Sequence, residues 1–303
     1  MKKRLISYIL VLMILVSSSS IAFADDKKLG LSTDYDTATS EYDIYVKIKE
    51  NADNKLYLNS MDVSDEVINK VLNGGVEKEL LHRKSLPKEE LYNMGYSDND
   101  IKILQSYNGE PIEEFAGAAR VSAVVYTLMN VPTKTDDVMS IKMAWWWNKL
   151  PLTTITDTIG VTWWDANGAN LQAITDYPKN YPTKCVVDYR VGSASDTVLK
   201  TVTIKPADMG SNYNMYNIPM VSSGYAFNGC LYASVGTRGK HNITKTHFKV
   251  SYAHKYLVPS ASIGLSFGGP SIGFGIKSGF DEMVHRHVSI IPWGAVTREG
   301  DDR

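Results

Sequence analysis

Met139-Ser140-Ile141-Lys142-Met143-Ala144-Trp145-Trp146-Trp147 carries a large apolar side chain at every second position, with Ser140, Lys142 and Ala144 between them. Successive side chains of a strand point to opposite faces. Alternation of this kind therefore predicts a strand with one buried face. Trp146 breaks the alternation and falls on the face opposite Trp145 and Trp147.

The period of two extends in both directions. Residues 121–129 read as an apolar strand, and 158–164, 184–191, 197–205, 225–235, 242–254, 262–267, 271–277 and 283–291 read as further strands. Turn residues separate them, among them Asn167-Gly168, Gly192-Ser193, Gly210-Ser211-Asn212 and Gly268-Gly269-Pro270. Many short strands at such spacing predict a mainly β fold, an antiparallel β-sandwich or jelly-roll-like domain over 111–303.

Residues 25–110 are more charged and read as an α-rich region with one strand. The strand is expected in the alternating stretch Tyr42-Asp43-Ile44-Tyr45-Val46-Lys47-Ile48-Lys49. Ser64 then stands as an N-cap, and Val67, Ile68, Val71 and Leu72 form one helical face that Gly74 stops. A second helix is expected over 77–83. Pro87 opens a third that ends at Gly95, and Ser97 with Asp100 forms a capping box for a fourth. The run Leu91-Tyr92-Asn93-Met94-Gly95-Tyr96-Ser97, with Ile101 and Leu104 behind it, resembles the first half of a ubiquitin-associated domain, including its Met-Gly-aromatic loop. The same pattern is that of a tight helix–glycine–capped helix unit, and we read it as a packing motif.

Lys2, Lys3 and Arg4 precede an apolar run from Leu5 to Val16, four serines and Ala22-Phe23-Ala24. A basic start, an apolar core and a small-residue exit form a secretory signal, with cleavage expected after Ala24. The apolar run is short for a span of roughly 20 residues. No cysteine stands at the cleavage point and the end, Gly300-Asp301-Asp302-Arg303, is polar. The expectation is a secreted chain, released outside the cell.

Residues 1–24 hold three basic and no acidic residues, which leaves 29 basic against 33 acidic in 25–303, or −4. A basic stripe of the kind that marks a nucleic-acid binder is absent. The sequence also lacks the H-E-x-x-H and P-loop patterns, and no cofactor is expected. The leading expectation is non-catalytic binding of a cell-wall polymer, glycan or protein. The candidate binding residues are Trp146, Trp163 and Trp164, because an outward indole offers a flat apolar face with a polar edge. If their strands are neighbours, Trp146 and one of Trp163 and Trp164 would form an exposed platform.

Other constellations give further expectations. Cys185 and Cys230 form a possible disulfide, the one pairing two cysteines permit. His285 and His287 stand two apart on one strand face, a candidate metal pair that Asp281, Glu282 or His254 would complete. In residues 262–277, Ile263, Leu265, Phe267, Ile272, Phe274 and Ile276 alternate with Ser or Gly around Gly268-Gly269-Pro270. A membrane-inserting hairpin has this character, so membrane contact is expected only there, as the alternative of a membrane-active toxin. A last alternative is a hydrolase whose carboxylates, Asp157, Asp165 and Asp188, converge in the fold.

Overall fold

The computed structural model describes residues 36–37, 41–60, 65–109, 119–127, 137–152, 154, 156–166, 170–174, 182–192, 197–237, 243, 245–255, 264–266, 275–277, 280–290 and 296–297. The expected signal segment 1–24 lies outside them.

Six helices come first: α1 (Glu41–Glu50), α2 (Lys55–Ser60), α3 (Asp65–Leu72), α4 (Gly75–Lys84), α5 (Lys88–Asn93) and α6 (Asp98–Ser106). The stretch expected as a strand, 42–49, is α1. Its alternation also satisfies helical spacing. Tyr45 and Ile48, three apart, are buried in one apolar cluster with Val67 and Val71 of α3, while Lys47 is exposed. A neighbouring helix, not a strand, supplies the surface those side chains need. At Ser97 the capping box forms: Asp100 N–H donates to Ser97 Oγ (3.2 Å) and Ser97 N–H donates to Asp100 Oδ2 (2.9 Å).

The first sheet runs in the order β1 (Asp36–Thr37), β2 (Val121–Thr127), β3 (Asp137–Trp147), β10 (Tyr225–Thr237), β6 (Lys184–Arg190) and β7 (Val198–Ile204), and β5 (Gln172–Ala173) also pairs with β10. The second runs β15 (Val296–Thr297), β14 (Phe280–Ile290), β11 (Thr246–Lys255), β4 (Thr156–Asp165), β9 (Tyr213–Pro219) and β8 (Asp208–Met209). A separate pair joins β12 (Gly264–Ser266) to β13 (Gly275–Lys277). For β12 to β15 the description is of the backbone. Every pairing in both sheets is antiparallel.

Both sheets turn one face to a shared core, which makes the domain a sandwich. Met143, Trp145 and Trp147 of β3 lie in one buried cluster with Val161 and Trp163 of β4 and Phe248 and Tyr252 of β11. The three indoles of that core are 0–1% exposed. Each removes on the order of 150–250 Å² from water, about 4–6 kcal/mol at ~25 cal/mol per Å². Gly229 of β10 stands opposite Trp145, and a Cβ there would meet the indole at 2.7 Å. The missing side chain is the space into which Trp145 packs.

The helices and the sandwich belong to one compact unit, Tyr35–Arg303. The Met-Gly-aromatic loop is where they meet. Leu150 N–H donates to Met94 O (2.9 Å) and Gly192 N–H to Asn93 O (2.8 Å). Buried Arg83 donates to Leu150 O (3.0 Å), Pro151 O (2.6 Å) and Tyr96 Oη (2.9 Å). The packing reading of that loop is the one the geometry supports: its surface is spent on this chain's own strands.

Candidate functional site

Trp146 lies on β3 with its side chain on the outer face of the first sheet, because Trp145 and Trp147 fill the core. It is half-buried. The register then sets one residue from each neighbouring strand beside it. Ser122 of β2 pairs with Trp146, Trp146 with Asn228 of β10, Asn228 with Asp188 of β6, and Asp188 with Thr201 of β7. A single row of Ser, Trp, Asn, Asp and Thr thus crosses five strands on one face.

The polar members of the row are tied together. Thr201 Oγ1 donates to Asp188 Oδ1 (2.7 Å), and Asn228 Nδ2 donates to Asp188 Oδ2 (3.2 Å). Arg190 Nη2 stands 3.6 Å from Asp188 Oδ2. Asn228 is 3% exposed, and its Oδ1 accepts no hydrogen bond among the described residues. Two bulges lie beside the row on one side, at Phe227 of β10 and at Leu199 of β7. Bulges re-aim side chains and gather beside functional sites. The row therefore sets a half-buried indole in line with the partly exposed Asp188 carboxylate and the exposed Thr201 hydroxyl, with the Asn228 amide buried between them.

The other two tryptophans do not join it. Trp163 is a core residue at 0% exposure, its Nε1 donating to Leu171 O (3.3 Å). Trp164 faces outward, but from the second sheet. It stacks on His247 at 4.9 Å and 5°, with Lys249 Nζ 5.9 Å from its ring. Trp146 and Trp164 thus point in opposite directions, and the shared platform does not form. The tryptophan strands β3 and β4 are consecutive in sequence but sit in different sheets.

The cysteines are corrected in the same way. Cys185 faces the core and Cys230 the outer face, and the two sulfurs are not joined. Cys185 pairs with Leu231, one residue beyond Cys230. That single offset puts the two side chains on opposite sides of the sheet. Burial, then the neighbouring Cys230, pushes the Cys185 thiol up.

His285 and His287 fall on β14, at register positions opposite Ser251 and Lys249. Their side chains lie outside the described residues. Among the described residues no cluster of three metal-ligating side chains occurs. His254, proposed as a third ligand, turns inward instead and meets Asp157.

That meeting is a polar network in the core. His254 Nδ1 lies 2.7 Å from Asp157 Oδ1, Tyr252 Oη donates to Asp157 Oδ2 (2.5 Å), and Trp147 Nε1 donates to Tyr252 Oη (3.0 Å). All four side chains are 0% exposed. Burial first, then the Asp157 carboxylate, holds the Tyr252 phenol well above its ordinary value. The network joins β3 of one sheet to β4 and β11 of the other and is sealed from any substrate. The three candidate carboxylates do not converge. Asp157 and Asp165 sit at opposite ends of β4, roughly 26 Å apart at ~3.3 Å per residue. Asp188 is on the other sheet's outer face.

No family model and no curated protein matches this chain. Solved structures similar to it include Clostridium perfringens delta-toxin, at 6% identity and a TM-score of 0.25 over 57% of this chain and 84% of that one. Another is AvmM, which catalyses macrocyclisation in alchivemycin A biosynthesis, at 9% identity and a TM-score of 0.27 over 60% of this chain and 91% of that one. At these TM-scores neither likeness carries an argument about fold or function.

Proposed function

We propose that this chain is an exported, non-catalytic binding protein whose ligand face is the outer face of the first sheet at Trp146. The observation that carries the reading is the row Ser122–Trp146–Asn228–Asp188–Thr201. An indole with hydrogen-bonding groups in line suits a sugar ring, whose faces are apolar and whose rim is polar. A glycan or wall polymer is therefore favoured over a protein ligand. The basic, apolar and Ala-x-Ala elements of residues 2–24 support export. The test is co-sedimentation with insoluble cell wall. Wild type is expected in the pellet and Trp146→Ala in the supernatant; equal pelleting of the two would overturn the reading.

A second reading has its own observation. β11 and β14 are hydrogen-bonded neighbours whose last pair is Lys255 with Phe280, and β12 and β13 pair between them with Leu265 opposite Ile276. Residues 256–263, 267–274 and 278–279 lie outside the described residues, and only their sequence pattern bears on the hairpin. Continuing the β11–β14 register through 256–279 gives arms 256–267 and 268–279, enough for the roughly 9–11 residues of a membrane strand. Leu257, Ile263, Leu265 and Phe267 would share a face with Ile272, Phe274 and Ile276, and the other face is mostly Ser and Gly. The observed β12–β13 register differs from that continuation by an even number of residues. Passing from one to the other keeps every side chain on its face. Membrane insertion of this hairpin predicts dye leakage from liposomes. Leakage should be lost when Leu265→Cys/Ile276→Cys is oxidised and return on reduction; leakage that persists in the oxidised protein contradicts it.

A further inference from the structure

We infer that the free edge of β7 is a self-association surface, on which a second copy of this chain pairs antiparallel and joins the two first sheets into one. The inference is independent of the Trp146 reading.

It starts from how the sheets end. Their terminal strands are β1 and β7 in the first sheet and β15 and β8 in the second. β1, β15 and β8 are two residues long, whereas β7 has seven, Val198–Ile204. A very short terminal strand keeps a sheet edge from pairing with another chain. β7 lacks that protection. Among the described residues its backbone pairs with β6 on one side and makes no backbone hydrogen bond on the other.

The side chains along that edge suit a partner strand. Val202 and Ile204 turn toward the core and are only partly covered by it. Thr201 and Thr203 are exposed on the outer face. Leu199 is 50% exposed and lies beside the turn of Val221, itself 48% exposed. Gly224 of that turn has no Cβ, and one there would stand 3.0 Å from Leu199 Cδ1.

The charges decide what fits and in which register. The edge carries Lys200 and, just beyond it, Lys205, with no acidic residue from 197 to 206. A second copy therefore pairs only where lysine does not oppose lysine. Residues opposite each other share a face, so the two-fold axis passes through a residue. Lys200 on the axis sets two ammonium groups face to face. Thr201 on the axis draws the bulge at Leu199 into the paired stretch. Thr203 on the axis sets Lys200 against Pro206, which has no N–H to donate. Val202 remains, and it is the midpoint of the unbulged stretch 200–204. Centred there, Val202 meets its own copy, Thr201 meets Thr203 and Lys200 meets Ile204. Lys205 falls opposite Leu199, with its apolar stem along the exposed leucine. Threonine pairs and apolar pairs of this kind stabilise a strand pairing.

The test is sedimentation equilibrium of the purified protein at rising concentration. The weight-average mass should rise toward twice that of the chain. Thr201→Lys/Thr203→Lys sets ammonium against ammonium on both sides of the axis and should weaken association by about ten-fold or more. Thr201→Lys/Thr203→Glu sets opposite charges there and should restore it. Both positions are exposed, and each variant is first shown to be folded. Val202→Cys reads the register. Cys185 is buried and Cys230 partly exposed, so the variant is made in a Cys230→Ser background. It is oxidised beside Leu56→Cys, whose position on α2 is 85% exposed. Val202→Cys should give a disulfide-linked dimer and Leu56→Cys should not. A protein that stays monomeric at every concentration overturns the inference. So does a dimer that Thr201→Lys/Thr203→Lys leaves intact, or one in which Val202→Cys links no faster than Leu56→Cys.

Discussion

At Asp157 two contacts arrive from one strand, from Tyr252 Oη and His254 Nδ1, and no solvent reaches any of the three. A buried carboxylate in this position is tolerable only because it is paired and hydrogen-bonded. Weakening the hydrogen bonds to a buried charged group typically costs about 1.5–3 kcal/mol. Asp157→Asn should therefore lower the unfolding free energy in urea by that amount; a loss under about 1 kcal/mol would show that the network is dispensable. The residues were visible in the sequence, but their relation was not. Asp157 read as a hydrolase candidate and His254 as a metal ligand, because nothing in the spacing of positions 157 and 254 says that β4 and β11 are neighbours. The one available signal was local: Tyr252 and His254 share parity with Phe248 and Val250, so the strand's inward face ends in polar groups that need a buried partner.

Elements with a strong period were legible. β3, β6, β7 and β10 lie where alternation places them, since each has one face on a common core. Others were not, among them 42–49 and β9. The stretch 42–49 satisfies both periods, and only its packing partner decides for the helix α1. β9 is not among the expected strands: Gly210-Ser211-Asn212 precedes it, Pro219 ends it, and Asn214 and Asn217 lie inside. Its inward residues Tyr216 and Ile218 are fully buried against β4 and override that local composition. At the site, parity alone put Trp146 outside. Its partners Asn228, Asp188 and Thr201 come from three other strands and required the register. The loop between α5 and α6 is tightly specified. Gly95 has φ +84°, and a Cβ there would stand 3.1 Å from Phe227 and 3.2 Å from the Lys149 Cα. Gly95→Ala should cost about 1–3 kcal/mol through backbone strain alone. An unchanged thermal midpoint would mean that the loop is not clamped.

Across the whole molecule, a few charged contacts hold the helices against the sandwich. Lys149 Nζ lies 2.7 Å from Asp100 Oδ1, beside the Arg83 contacts to Leu150 and Pro151. Burial alone would raise the Asp100 carboxyl, but the hydrogen bonds from Lys149 and Ser97 outweigh it and hold it below its ordinary 3.8. A carboxyl lowered by folding contributes stability above its unfolded value, and that contribution is lost as the pH falls through the folded value. Lys149→Met should therefore lower stability near pH 7 by about 1–3 kcal/mol. The gap to wild type should close below pH 3.8. A gap that stays constant with pH would place the effect in packing and not in the charge.

Two outward indoles on opposite sheets make the central claim directly testable. Trp146→Ala and Trp164→Ala remove similar surface from faces that look away from each other. The measurement is sedimentation with insoluble cell wall for wild type and both variants, each first shown to be folded. The account predicts that Trp146→Ala stays in solution while Trp164→Ala pellets like wild type. Retention of binding in Trp146→Ala, or its loss in Trp164→Ala alone, would contradict a ligand face on the first sheet.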